Sequence, residues 1–136
     1  MSILDIFRKK DDAQPGKQSP YLIHTELTPY RLSANRSSSA VLTVRIKNVA
    51  KEPLLTSFWM ELPQGISLDE LGMSKSKEYQ LGEMKPAEQK ELRIGVYSSM
   101  KTEKGDYTMR MMATAHFRDY NHVVNEVRFT RGINVV

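Results

Sequence analysis

The sequence predicts an all-β fold in which two antiparallel sheets pack face to face. The first observation is the run Gly105 to Asp119, in which Tyr107, Met109, Met111, Ala113, Ala115 and Phe117 alternate with Thr108, Arg110, Met112, Thr114, His116 and Arg118. That is a strand with one face apolar and the other mostly polar, so it needs a second layer on its apolar side only. The second is that turn-forming clusters recur at intervals of roughly 8 to 12 residues. The third is that no segment of helical period lies between the strands, which argues against a parallel sheet.

The chain has 136 residues and a net charge of +4. This length suits one domain and buries roughly two-thirds of the unfolded surface. Acids and bases are interspersed, and the mild excess of cations does not by itself select nucleic acid or an anionic membrane as partner. The absence of cysteine excludes disulfides and thiolate metal sites. No stretch has the apolar length for a bilayer crossing, and the first ten residues place their cations after the apolar ones, the reverse of a signal peptide. The expectation is a soluble cytoplasmic protein.

Residues 1–20 read as an amphipathic piece followed by a polar linker that contains Pro15, Gly16, Ser19 and Pro20. Ser2 caps a short helix with Asp5 at its third position. Ile3, Leu4, Ile6 and Phe7 form its apolar stripe and Arg8, Lys9 and Lys10 its basic end. Two readings stand: a tail or helix laid on its own domain, and an anchor for a membrane surface or a partner.

Residues 21–136 read as the sandwich. Residues 21–32 form a first strand broken at Pro29, whose missing N–H suits a sheet edge or a crossing between sheets. Ala40, Leu42, Val44 and Ile46 face inward along the second strand, which ends at Asn48. The third presents Leu54, Thr56, Phe58, Met60 and Leu62 inward, closes at Pro63-Gln64-Gly65, and leaves Leu55, Ser57, Trp59 and Glu61 outside. Ile66–Leu71 and Glu78–Leu81 are two short strands or one irregular crossing with residues 74–77 between them, and Gly82–Glu88 is a turn. Leu92, Ile94 and Val96 then face inward, with Glu91, Arg93, Gly95 and Tyr97 outward. After the strand at 105–119, Val123, Val127, Phe129, Ile133 and Val135 share one face of the last.

Four segments in this order carry a resemblance: Val41–Asn48, Phe58–Ile66, Leu81–Pro86 ahead of Glu91–Val96, and Lys104–Met109. Together they resemble the prokaryotic immunoglobulin-like domains of the CARDB-like type, over residues 21–136. The resemblance implies an immunoglobulin-like antiparallel β-sandwich of about seven strands with a binding or spacing role and no active site. It also implies that Gly105 and Tyr107 open a strand on which the tyrosine hydroxyl bonds back to nearby backbone.

No chemical motif stands out. His116, Asp119 and His122 flank one turn without a diagnostic metal-ligand spacing, so no metal site, cofactor or catalytic residue is assigned, and no small-molecule substrate is evident. Ser37-Ser38-Ser39 is turn chemistry. Arg45, Lys47 and Arg93 with Tyr97 could offer a nucleic-acid face, but Glu91 shares that surface, and a solvated face is the preferred reading. The most informative outward residues are Leu55, Trp59, Arg110, Met112, Val124 and Arg128, which share one outer surface if the third, sixth and seventh strands are neighbours. Exposed Trp, Met and Arg together have the composition of a protein interface. A protein partner or self-association through this face is the leading expectation. The competing readings are coverage of the patch by Ile3, Leu4, Ile6 and Phe7 of the same chain, or Trp59 turned into the core.

Overall fold

A computed structural model describes residues 19–136, so the expectations for Ile3 through Lys10 lie outside the described residues. The strands are β1 (Tyr21–Thr28), β2 (Arg31–Leu32), β3 (Ser38–Asn48), β4 (Leu54–Glu61), β5 (Ser76–Met84), β6 (Gln89–Ser98), β7 (Gly105–His116) and β8 (Val123–Val135). They make a three-stranded sheet, β1-β3-β6, and a five-stranded sheet, β2-β8-β7-β4-β5. Every pairing is antiparallel except the two-residue contact of β2 with β8. At Pro29 the chain leaves one sheet for the other. β1 pairs with β3 and β2 with β8, so a residue without an N–H stands where no ladder runs.

The alternating residues do what their period requires. Leu42, Val44 and Ile46 of β3 and Ile94 and Val96 of β6 meet Phe58 and Met60 of β4 and Met109, Met111 and Ala113 of β7, all buried. Phe58 centres the aromatic part of this core, its ring 6.1 Å from that of Tyr79 and 6.2 Å from that of Phe129. Two buried polar side chains tie the sheets together and are themselves satisfied. The Tyr21 hydroxyl is hydrogen-bonded to Thr56 Oγ1 at 2.7 Å, from β1 to β4. Asn48 Nδ2 donates to the carbonyls of Met84 and Glu52, and its Oδ1 accepts from the N–H of Ala50.

The inward phases expected for β3, β4 and β6 hold, including the outward placement of Trp59. The Tyr107 hydroxyl donates to the carbonyl of Glu103 at 2.7 Å, the backbone bond the resemblance implied. Four expectations change. Phe117 and Val123 were assigned to core faces, but β7 ends at His116 and both residues are more than half exposed. The register shift between Ala115 and His116 sets Val123 opposite His116, on the outer face. Thr114 and His116, assigned to the wet face, are buried on that outer face, because the 117–122 turn folds back over it. Glu78–Leu81 is part of one nine-residue strand, Ser76–Met84, so the turn after it narrows to 85–88. Ile66–Leu71 contributes only the isolated bridge of Ser67 with Tyr97.

Candidate interaction surface on the five-stranded sheet

The outer face of β5-β4-β7-β8 can be read row by row from the register, since directly paired residues share a face. One row is Glu78, Trp59, Met112 and Arg128; the next is Gln80, Ser57, Thr114 and Glu126. Beyond that, Leu55 and His116 pair with each other, and Val123 continues the row on β8. Ser57 and Thr114 are short side chains between two rows of long ones. A row of short side chains flanked by tall ones is a trough that runs across the strands. It encloses about 450 Å³, within the size of sites that hold peptide fragments or drug-sized ligands. Trp59 and Met112 form one wall and His116 and Tyr120 the other, with Arg110 and Arg128 among the charged residues at the rim.

The His116 wall is built by the turn between β7 and β8. Asp119 Oδ1 accepts from the N–H of Asn121 and is hydrogen-bonded to His122 Nδ1, which fixes the turn. Those two contacts, the His122 bond first, hold the Asp119 carboxyl below its usual range. The turn lays Tyr120 edge-on against His116, centroids 5.1 Å apart. The Tyr120 hydroxyl accepts from the N–H of Gly82 on β5 at 3.0 Å, so one side chain straps the sheet from β7 to its far edge. Gly82 sits at φ +78 where the β4–β5 register shifts, a conformation glycine takes at little cost. Beneath the strap, Ser57 Oγ and His116 Nε2 are hydrogen-bonded at 2.7 Å, and among the described residues no group bonds His116 Nδ1. This is not the geometry of a nucleophilic triad, which needs a third group on Nδ1 to orient the ring.

Of the residues expected at this surface, Trp59, Arg110, Met112 and Arg128 line the trough. Leu55 lies on the same face, paired with His116. Val124 is exposed, and the shifted register gives its expected place in the trough to Val123. Both arginines are held by acids: Arg110 is ion-paired with Glu61 and Arg128 with Glu126 at 2.9 Å. Ser57, Thr114 and His116 face outward in the sequence reading but are not among its contact residues, and Tyr120 is assigned no face there. Ser57 and Thr114 are the small residues flanked by large ones on their strands, which is the only trace of the trough in the sequence.

The other sequence candidates resolve differently. On the three-stranded sheet, Arg45 contacts Glu26 at 3.2 Å and Glu91 at 3.0 Å, and Arg93 contacts Glu91 at 2.9 Å. Arg93 foremost, then Arg45, keep Glu91 below its usual carboxyl range. Two of the three cations of the imagined nucleic-acid face are therefore partnered by carboxylates. Lys47, opposite Leu22, is half-buried. His116 is engaged by Ser57 and Asp119 by His122, and among the described residues no three His, Cys, Asp or Glu side chains gather as metal ligands.

Two sheets of antiparallel strands with this order and the bonded tyrosine define an immunoglobulin-like β-sandwich. No family model matches the chain, and no curated protein matches it. Among solved structures, the chain is similar to part of native Escherichia coli alpha-2-macroglobulin, with 19% identity, TM-score 0.60, and 88% of this chain aligned to 7% of that one. It is also similar to a FixG-related protein from Vibrio parahaemolyticus, with 10% identity, TM-score 0.55, and 87% of this chain aligned to 98% of that one. A PapD-like domain of human CEP192 aligns over 100% of this chain and 96% of its own, with 12% identity and TM-score 0.46. Identities this low speak to fold alone. The chain spans only a small fraction of the alpha-2-macroglobulin.

Proposed function

We propose that this protein is a non-catalytic protein-interaction or assembly module whose contact face is the outer surface around Trp59. The observation that carries the proposal is the trough itself, which places a half-buried Trp59 beside Met112 with Arg110 and Arg128 at its rim. Trp, Met and Arg are the residues enriched where partners bury a surface. A pre-formed depression offers an anchor side chain a desolvated pocket without rearrangement. The immunoglobulin-like sandwich supports this reading as a rigid platform for such a face. The closer relationship to CARDB-like domains and a cytoplasmic location belong to the same proposal.

The test is solution mass over a range of concentrations for the full chain and for Trp59→Ala, with emission recorded from the single tryptophan. Self-assembly through this face gives a mass that rises with concentration, a Trp59 emission that shifts to the blue, and a monomeric Trp59→Ala. If both proteins stay monomeric, self-assembly is refuted. A partner set captured equally by the two proteins would then refute the contact face as well.

A further inference from the structure

The three most exposed large apolar side chains among the described residues are Leu71 at 82%, Met73 at 78% and Met100 at 76%. All three lie at one end of the sandwich, on the two loops that follow β4 and β6. Loops are ordinarily polar, and singly exposed apolar residues mean little. Here three such tips stand on two adjoining loops at one end of the sandwich.

Both loops are built to hold these tips outward. In the first, Asp69 Oδ1 accepts from the N–H groups of Met73 and Ser74, and the N–H of Leu68 donates to the carbonyl of Ser74. Ser67 and Tyr97 exchange two backbone bonds, which fix the base of the loop to β6. In the second, Ser99 and Thr102 bond reciprocally, and Thr102 Oγ1 also donates to the carbonyl of Gly65 at 2.6 Å. The loops are therefore clamped internally and to each other.

Between them lies a cleft of about 500 Å³, lined by Leu71 beside Lys75, Lys101, Ser99 and Tyr97, with Glu103 its only acid. Lys75 Nζ donates to the carbonyl of Ile66, which leaves two of its three N–H groups for another acceptor. Arg36 and Lys104 stand on the same end of the sandwich, where the loops 33–37, 62–75 and 99–104 carry four cations, Arg36, Lys75, Lys101 and Lys104, against three acids, Asp69, Glu70 and Glu103, with the Asp69 carboxylate turned into its own loop by the N–H groups of Met73 and Ser74. The turns at the opposite end, residues 49–53, 85–88 and 117–122, balance Lys51, Lys85 and Arg118 against Glu52, Glu88 and Asp119.

Apolar tips around a cation-lined cleft match the two layers of an anionic bilayer surface, negative headgroups above an apolar interior. We propose that this end of the sandwich docks on anionic phospholipid bilayers, with a headgroup phosphate received between Lys75 and Lys101 and with Leu71, Met73 and Met100 entering the boundary with the acyl chains. This site is separate from the trough around Trp59 and does not depend on it.

The experiment is co-sedimentation of the full chain with vesicles of phosphatidylcholine alone and of phosphatidylcholine with one-third phosphatidylserine. The full chain pellets with the anionic vesicles and releases as salt rises. Combined Leu71→Ser, Met73→Ser and Met100→Ser lower that binding by about tenfold or more, and Lys101→Gln alone by about fivefold. These side chains are exposed, so an unchanged circular dichroism spectrum is expected and checks the fold. Failure of the full chain to bind anionic vesicles overturns the proposal. So does equal binding by the triple-serine protein, which moves the contact to the N-terminal segment. Release by millimolar glycerol phosphate also refutes it, by showing that the cleft takes soluble phosphate esters.

Discussion

Ser57→Ala tests how the trough is held open. In the folded chain His116 is 7% exposed, has Ser57 Oγ on Nε2 at 2.7 Å, and has no partner on Nδ1 among the described residues. Removing the hydroxyl leaves an imidazole under Tyr120 with neither nitrogen satisfied. The loss of one hydrogen bond and the stranding of a buried polar atom together cost about 1–3 kcal/mol. For a domain of this size that lowers the melting temperature by roughly 4–12 °C. His116→Leu removes both nitrogens together, so the Ser57→Ala, His116→Leu double variant loses less than the sum of the single variants, by about 1–2 kcal/mol. Urea denaturation followed by emission of the single tryptophan, Trp59 in the neighbouring row, measures all three. Single-variant costs that add to within about 0.5 kcal/mol would refute the coupling and with it this account of the trough floor.

Two further outcomes follow from the geometry. Gly65→Ala strains a backbone held at φ +110 and drives a new Cβ to 2.8 Å from Cε2 of Tyr107, whose hydroxyl is anchored on Glu103. The expected loss is about 2–4 kcal/mol by chemical denaturation, and a loss of less than about 0.5 kcal/mol shows that the turn relaxes freely. Acid should destabilise the fold through three carboxyls held low: Asp69 chiefly by the N–H of Ser74, Glu91 chiefly by Arg93, and Asp119 chiefly by His122. Because the folded values lie below the unfolded ones, their contribution is present above about pH 4 and is lost as pH falls through the folded values. Melting temperature therefore drops below about pH 4, Asp119→Asn shows a smaller drop, and a flat acid profile contradicts the assigned contacts.

Placing an interaction face and a bilayer-docking end on one sandwich is physically consistent. The trough lies on a sheet face, where paired strands hold side chains at fixed spacing. The proposed lipid contact lies on loops at the strand ends, where apolar tips can project without disturbing the ladder. Changes at one need not alter the other, so the Trp59→Ala and loop variants separate the two proposals.

Features that depend on local period and local stereochemistry can be read from the chain before it folds. The alternation Met109, Met111, Ala113 fixes which face of β7 is buried, the phase of Leu54 to Leu62 favours Trp59 outward, and Pro29 restricts its segment to a sheet edge or a crossing between sheets. Each follows from side chains two residues apart pointing the same way, or from one missing N–H. Features that depend on register between strands distant in sequence emerge only in the folded chain. Ser57 meets His116 across 59 positions, and a shift of one residue between Ala115 and His116 moves Val123 to the outer face in the place expected for Val124. A register slip of one residue reverses which face a side chain occupies, and nothing local to Val123 records it. The burial of Thr114 and His116 likewise depends on Tyr120 reaching Gly82, a contact across 38 positions. The strands were legible because their pattern is periodic; the trough was not, because it exists only where pairing of β4 with β7 sets the short Ser57 and Thr114 side by side between rows of long side chains.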